Sequence, residues 1–294
     1  EKYGMVFKTI GVVGGGTMGQ GISEMLAARG LEVLLLEKTV EKLDRALEQI
    51  QVSLDKQIER WALTEAEKKL ILAKIKKADS IQDMAECDMV IETITEDLNA
   101  KKHVFFQLNQ ICNPSIILAT NTSTLSVTEI AAITTHPQRV IGLHFLHPVA
   151  KVNLVEIIRA MKTSDETFEQ TRRFVDEFIQ KKGISVNESP GFITSRLICT
   201  LINEALHTLS EGVATAEDID TAMRIGYDFK YGPLEMCDRF GLDAVHDALE
   251  GMFRDYGDIK YRPSFLLKKM VRAGHLGVKT GEGFFLYDKD GDRL

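Results

Sequence analysis

Two residues of this chain have the types and spacing of an acid–base pair. His144 closes the apolar run Val140-Ile141-Gly142-Leu143, and Glu156 lies inside a second apolar run, Leu154 to Ile158. Pro148 turns the chain between them, so the stretch reads as strand, turn, strand and brings Glu156 back toward His144. An imidazole passes a proton near neutral pH when one ring nitrogen faces the reaction and the other is held by a partner that fixes its tautomer. A carboxylate on the neighbouring strand can be that partner. A plainer reading also stands, in which His144 merely ends a strand and Glu156 faces water. A third makes His144, His147 and Glu156 metal ligands; Pro148 counts against it by disrupting any helix that would align the histidines, and no metal is expected.

The elements that would carry such a pair begin with a glycine turn. Thr9 to Val13 is an apolar run that enters Gly14-Gly15-Gly16-Thr17-Met18-Gly19, followed by Ile22, Met25, Leu26 and Ala27 at helical spacing. Strand, glycine turn and helix form the context a dinucleotide fingerprint requires. Gly14 permits the tight turn, Gly16 lets a pyrophosphate approach the backbone, and Gly19 lets the helix pack on the strand. The helix start offers amide groups and a positive dipole end to phosphates. Gly30 ends that helix, and the strand Val33 to Leu36 terminates in Glu37, an acid placed to bind ribose hydroxyls and repel a 2'-phosphate. NAD is therefore favoured over NADP.

Thr39 to Trp61 and Thr64 to Lys77 read as two long helices, the second opened by the capping box Thr64-Glu65-Ala66-Glu67. A doubly wound unit uses one crossover helix here, so the pair reads as a projecting insertion. It carries Lys56, Arg60, Lys68, Lys69, Lys74, Lys76 and Lys77. A solvated face is the default reading of these charges; the sharper one is that a few meet the phosphates of a bulky substrate handle. Further strands are expected at Met89 to Thr93 and Ile116 to Ala119, the latter delivering the polar cluster Thr120-Asn121-Thr122-Ser123-Thr124 to the strand end where ligands of open parallel sheets bind. Ser126 to Glu129 reads as a second capping box, Thr167 to Lys181 as a helix and Ile184 to Val186 as a last strand.

The alternation stops at Asn187-Glu188-Ser189-Pro190-Gly191. Beyond it Phe192 to Glu211, Thr215 to Ile225, Pro233 to Phe240, Leu242 to Phe253 and Ser264 to Ala273 read as helices. The expected architecture is α/β, a Rossmann-type doubly wound, mostly parallel sheet with an inserted helical pair over residues 1–187, plus an all-α domain over 188–294. The apolar content of the helical part suggests burial of some of its surface against another subunit.

Composition narrows the function classes. At 294 residues the chain can bury two cores, and its net charge of -7 argues against a general nucleic-acid binder. Cys87, Cys112, Cys199 and Cys237 are too far apart for a zinc or redox motif and read as reduced core residues of a cytoplasmic protein. No apolar run approaches the ~18 residues of a membrane span. Glu1 to Gly4, before Met5, does not read as a secretory signal.

Several stretches together resemble the 3-hydroxyacyl-CoA dehydrogenase family, its short-chain 3-hydroxybutyryl-CoA members in particular. They are Gly-Gly-Gly-Thr-Met-Gly (14 to 19), Asn-Thr-Ser-Thr-Leu (121 to 125), His-Phe-Leu-His-Pro-Val (144 to 149) with Leu-Val-Glu (154 to 156), and Ser-Pro-Gly-Phe (189 to 192). Tyr-Gly-Pro-Leu-Glu-Met-Cys-Asp (231 to 238), Gly-Leu-Asp (241 to 243) and Gly-Val-Lys-Thr-Gly-Glu-Gly-Phe (277 to 284) complete the set. The resemblance implies reversible NAD-dependent oxidation of an (S)-3-hydroxyacyl-CoA of short or medium chain. It makes His144 the general base, Glu156 its orienting partner, and Ser123 a hydrogen-bond donor to the reacting oxygen near the nicotinamide. It implies cofactor contacts from the glycine turn, Glu37, Glu96, Lys101, Asn121 and, out of the second domain, Lys279; Ser53 and Arg60 match positions that contact CoA. It also implies a homodimer through the helical domain.

Two positions depart from the family pattern. His147 stands where asparagine usually helps hold the nicotinamide and the catalytic histidine, and Ser195 where many members have an asparagine on the substrate oxygen. Serine keeps one donor and loses reach. Two rival functions follow: a dehydrogenase of a CoA-free hydroxy or sugar acid, and a dinucleotide-binding relative without turnover, which His147 motivates.

Overall fold

The computed structural model describes residues 6–294, so the reading of Glu1 to Gly4 lies outside the described residues. Contacts divide the chain into two compact units, with the break between Ser189 and Pro190.

The first unit is built on eight strands: β1 (Thr9–Val13), β2 (Glu32–Leu36), β3 (Ile75–Lys77), β4 (Met89–Glu92), β5 (Ile117–Thr120), β6 (Val140–Phe145), β7 (Leu154–Arg159) and β8 (Lys182–Asn187). They lie in the order β3-β2-β1-β4-β5-β6-β7-β8, parallel throughout except for the antiparallel pair β6/β7. Helices α1 (Thr17–Ala28), α2 (Val40–Glu59), α3 (Glu65–Lys74), α4 (Leu98–Ile111), α5 (Val127–Ala131) and α6 (Asp165–Arg173) accompany the sheet. The central strands read as unbroken apolar runs because both of their faces are covered; every residue of β4, β5 and β6 is buried. The strand order reverses at β1, which leaves a crevice at the carboxyl ends of its neighbours.

The inserted pair does not project as expected. Leu43, Ala46, Ile50 and Leu54 of α2, with Ile71 of α3, are buried in the same core as Ile22 and Leu26 of α1. Helix α3 also stops at Lys74, and Ile75 to Lys77 form the edge strand β3 instead of its last turn. A branched Ile75 facing the core fits the pleat, and Lys76 and Lys77 blunt the exposed edge. Four of the seven basic residues singled out on this pair are engaged in ion pairs within the unit: Lys68 pairs with Asp55, Lys74 and Lys76 with Glu32, and Lys77 with Asp44.

Thr64 forms its full capping box, but Ser126 forms only half of the second. Its hydroxyl accepts from Glu129 N, whereas the Glu129 carboxylate takes Lys102 and Glu188 receives Ser126 Oγ. The helix expected to reach Lys181 loses α-helical geometry after Arg173. A π-turn at Phe174–Phe178 sets both terminal rings edge-on to Phe7, with centroids 4.9 and 5.2 Å apart.

The second unit contains α7 (Thr194–Ser210), α8 (Ala216–Tyr227), α9 (Pro233–Phe240), α10 (Leu242–Tyr256) and α11 (Phe265–Ala273) around a core that includes Ile202, Leu206, Leu234, Leu249 and Leu267. After α11 it ends in a 3-10 turn (Val278–Thr280) and isolated bridges that link Gly277 to Glu282, Glu282 to Leu286 and Tyr287 to Arg293. Two buried carboxylates organise this unit. Asp220 accepts the amides of Leu234 and Glu235 at the start of α9, and a Cβ at Gly232 would fall 2.2 Å from its carboxyl carbon. Asp238 accepts the amides of Phe284 and Phe285 and the hydroxyl of Tyr287, pinning the terminal segment.

Candidate active site

The carboxyl ends of β1, β2, β4, β5 and β6 carry the side chains of interest in the first unit. At β1 the chain passes into α1 through the glycine turn. Gly14 adopts φ +109°, and a Cβ at Gly19 would lie 1.8 Å from Gly14 O, so helix and strand meet only because that atom is absent. Gly16 caps α1 with no side-chain hydrogen bond, and a Cβ there would meet nothing within 4 Å. Open space over the amides of a helix start is what a pyrophosphate needs. Glu37, directly after β2, accepts the Gly15 amide at 2.7 Å and so stands beside that cradle. These residues fit an adenine dinucleotide.

Beneath the crevice lies a buried polar network that the sequence reading did not anticipate. Glu92, the last residue of β4, has no exposed surface; its carboxylate accepts Lys101 Nζ at 2.8 Å, Thr120 Oγ1 at 2.7 Å and the Ile94 amide at 2.7 Å. Lys101 also reaches the carbonyls of Ile94 and Asn121 at 3.4 and 3.3 Å. Expected to line the cofactor site, Lys101 has no exposed side-chain surface and lies under the site floor, holding the loops that follow β4 and β5. A glutamate ending an apolar strand nine residues before a lysine was the available signal.

Above this network Glu96 accepts the Thr122 hydroxyl and, at 3.0 Å, the Ser123 amide, shaping the turn that presents Ser123. Asn121, expected as a cofactor ligand, turns its side-chain oxygen to the Phe145 amide at 3.1 Å and ties the end of β5 to the strand of His144.

His144 and Glu156 are direct register partners across β6 and β7, which puts both side chains on one face of the sheet. His144 Nδ1 lies 2.6 Å from Glu156 Oε2, with Glu156 fully buried and His144 7 % exposed. An ionised Glu156 accepting from Nδ1–H assigns the other ring nitrogen, Nε2, as the basic one. His147 is exposed on the following turn, and its peptide bond to Pro148 is cis. Partial desolvation lowers its pKa below the ordinary histidine range. Among the described residues no group of three or more His, Cys, Asp or Glu side chains is arranged to hold a metal ion.

Ser53 is half-buried on α2, and Arg60 is exposed just past its end. In the second unit Ser195 is half-buried in the first turn of α7, and Lys279 pairs with Asp243. The four cysteines are free and buried, and burial pushes the thiols of Cys87 and Cys199 up to about 12 and that of Cys112 to about 11. No helix of the described residues is long and apolar enough to cross a membrane.

Residues 9–189 match the NAD-binding domain of 3-hydroxyacyl-CoA dehydrogenase, and residues 191–287 match its C-terminal domain. The chain is 40% identical over 282 residues to a 3-hydroxybutyryl-CoA dehydrogenase of Bradyrhizobium diazoefficiens, covering 96% of each chain. It is likewise 40% identical to one from Clostridioides difficile, covering 95% of this chain and 99% of that one. Among solved structures it is similar to an (S)-3-hydroxybutyryl-CoA dehydrogenase from Ralstonia eutropha, with TM-score 0.91, 39% identity, and coverage of 97% of this chain and 100% of that one.

Proposed function

The chain belongs to the 3-hydroxyacyl-CoA dehydrogenase family, and from that premise we propose that His144 and Glu156 are its acid–base pair and a short (S)-3-hydroxyacyl-CoA its substrate. It is an NAD-dependent oxidoreductase that converts 3-hydroxyacyl-CoA to 3-oxoacyl-CoA. NAD, when bound, supplies the acceptor for the hydride that leaves C3 of the substrate.

The observation that carries the reading is the His144–Glu156 register pair with its 2.6 Å contact. His144 Nε2 takes the proton of the substrate hydroxyl as the carbonyl forms, and the imidazolium returns it in the reverse direction. Glu156 keeps Nδ1 protonated and balances the imidazolium charge. Ser123 donates its hydroxyl to the same substrate oxygen, and the Gly14 to Gly19 turn with Glu37 binds the dinucleotide. Glu96, Lys101 and Asn121 act by holding the two loops on which that arrangement depends.

His147 is proposed to contact the nicotinamide end of the cofactor, Lys279 the cofactor, Ser195 the substrate oxygen, and Ser53 with Arg60 the CoA handle. These assignments rest on motif position. Residues 1–187 are proposed as the cofactor-binding domain and 188–294 as the substrate and dimerisation domain. A homodimer through the helical unit is supported by the strongly exposed Leu197, Val213, Ile225, Tyr227 and Phe265.

The test follows NADH absorbance with purified protein and acetoacetyl-CoA. Rapid NADH oxidation is expected, with NADPH a poor substitute. No oxidation despite NADH binding would overturn the catalytic reading and turn the search to CoA-free hydroxy acids.

A further inference from the structure

The turn between β6 and β7 joins the strand of His144 to the strand of Glu156 and carries His147. It is a short helical turn in which the amides of Lys151 and Val152 both donate to Pro148 O at 3.0 Å. His147, Pro148, Ala150 and Lys151 are exposed, and only Val149 is buried, against Gly21 of the nucleotide-binding helix α1, where a Cβ would meet it at 3.2 Å. So sparsely packed a turn needs another anchor.

Lys181, immediately before β8, is that anchor. Its Nζ donates to the carbonyls of Val149 at 2.6 Å and Val152 at 2.7 Å, the acceptors at the negative end of the turn. The residue is 7 % exposed, and among the described residues no carboxylate pairs with it. A buried cation without a counter-charge costs stability that an apolar side chain of equal length would spare. Burial, with Arg29 nearby, indeed holds Lys181 below the usual lysine range.

We propose that Lys181 is a positioning residue for the reaction: by clamping Val149 and Val152 it fixes the turn that sets His147 and the His144–Glu156 ladder against α1. The inference rests on the roles proposed for His144 and His147. Lys181 touches neither reacting atom nor cofactor in this assignment; it acts through two backbone carbonyls.

The experiment compares wild type with Lys181→Met, Lys181→Gln and Lys181→Arg in reduction of acetoacetyl-CoA, with near-UV circular dichroism to confirm native packing. Misplacement of a turn beside the reacting groups by a fraction of an ångström predicts that Lys181→Met lowers kcat/KM for NADH by about tenfold. The KM for acetoacetyl-CoA should stay within about twofold, because the handle is bound elsewhere. Gln or Arg, which keep N–H donors, should recover at least part of the loss, a rescue that mere packing does not predict. Wild-type kinetics in Lys181→Met would overturn the inference, as would a loss that neither donor variant relieves in natively packed protein. If Lys181→Met does not fold, Lys181→Gln carries the test: native packing with a partial kinetic loss supports the clamp, and wild-type kinetics overturns it. An inactive wild type would instead overturn the functional reading beneath it, and is seen before any variant is made.

Discussion

Glu156 faces His144 as its register partner across an antiparallel pair, so the sheet itself sets the orientation of the imidazole. The 2.6 Å contact is a consequence of strand pairing, and it holds His144 through Nδ1 in every molecule that forms β6 and β7.

His144→Ala is expected to lower kcat by at least ~100-fold, the scale of a positioned acid–base group, with NADH affinity little changed. Glu156→Gln should retain the fold and lose roughly tenfold or more, since an amide can present the wrong tautomeric partner to Nδ1. Steady-state kinetics with parallel NADH titration check both. Near-normal turnover in His144→Ala would remove it as the base.

Glu37 accepts the Gly15 amide at the edge of the phosphate cradle, so its charge sits where a 2'-phosphate would come. Glu37→Ser should raise KM for NADH and shrink the preference over NADPH by about tenfold or more, because like-charge contact is the discriminating element. An unchanged preference ratio would place cofactor selection elsewhere.

Trp61 occupies the left-handed position after α2, with φ +58° and 96 % of its surface exposed. Its amide donates to Ile58 O and that of Ala62 to Gln57 O, a closing pattern that favours glycine. Trp61→Gly forfeits almost no packing and relieves about 1 kcal/mol of backbone strain, so Tm should rise by roughly 2 to 4 °C. Calorimetry measures it, and a fall in Tm would show that the indole is covered in solution.

Asp238 is held above its ordinary range, at about 6, chiefly by burial. An acid with a raised folded-state pKa binds its proton more tightly when folded, so its contribution to stability falls as pH rises from about 4 to 6 and is flat above. Asp238→Asn should be destabilised by about 1 to 3 kcal/mol, because its amide would face donors from Phe285 or Tyr287. The stability gap between wild type and variant should be wider at pH 4.5 than at pH 7 in urea unfolding. A gap independent of pH would mean that Asp238 does not titrate in this window.

What the sequence determined by itself was whatever depends on neighbours along the chain. The glycine turn, the acid ending the second strand and the Thr64 capping box each follow from spacing of a few residues, because periodicity and turn chemistry are local, whereas the facing of His144 and Glu156 kept a solvent-facing alternative until β6 and β7 paired. Tertiary structure decided everything that joins distant positions. Ile75 to Lys77 continue a helical pattern in sequence, yet they pair with Val33 to Leu35 as a strand, since only the sheet edge could offer that partner. Lys68, Lys74, Lys76 and Lys77 read as a basic face until Asp55, Glu32 and Asp44 were brought beside them. Lys101 read only as a cofactor-site residue and Asn121 as part of a polar cluster, and the fold gave the first the buried carboxylate of Glu92 and the side-chain oxygen of the second the Phe145 amide. A side chain's type announces which interactions it can make, and packing alone selects the partner, because desolvation of a buried polar group forces it to take whichever donor or acceptor the fold delivers.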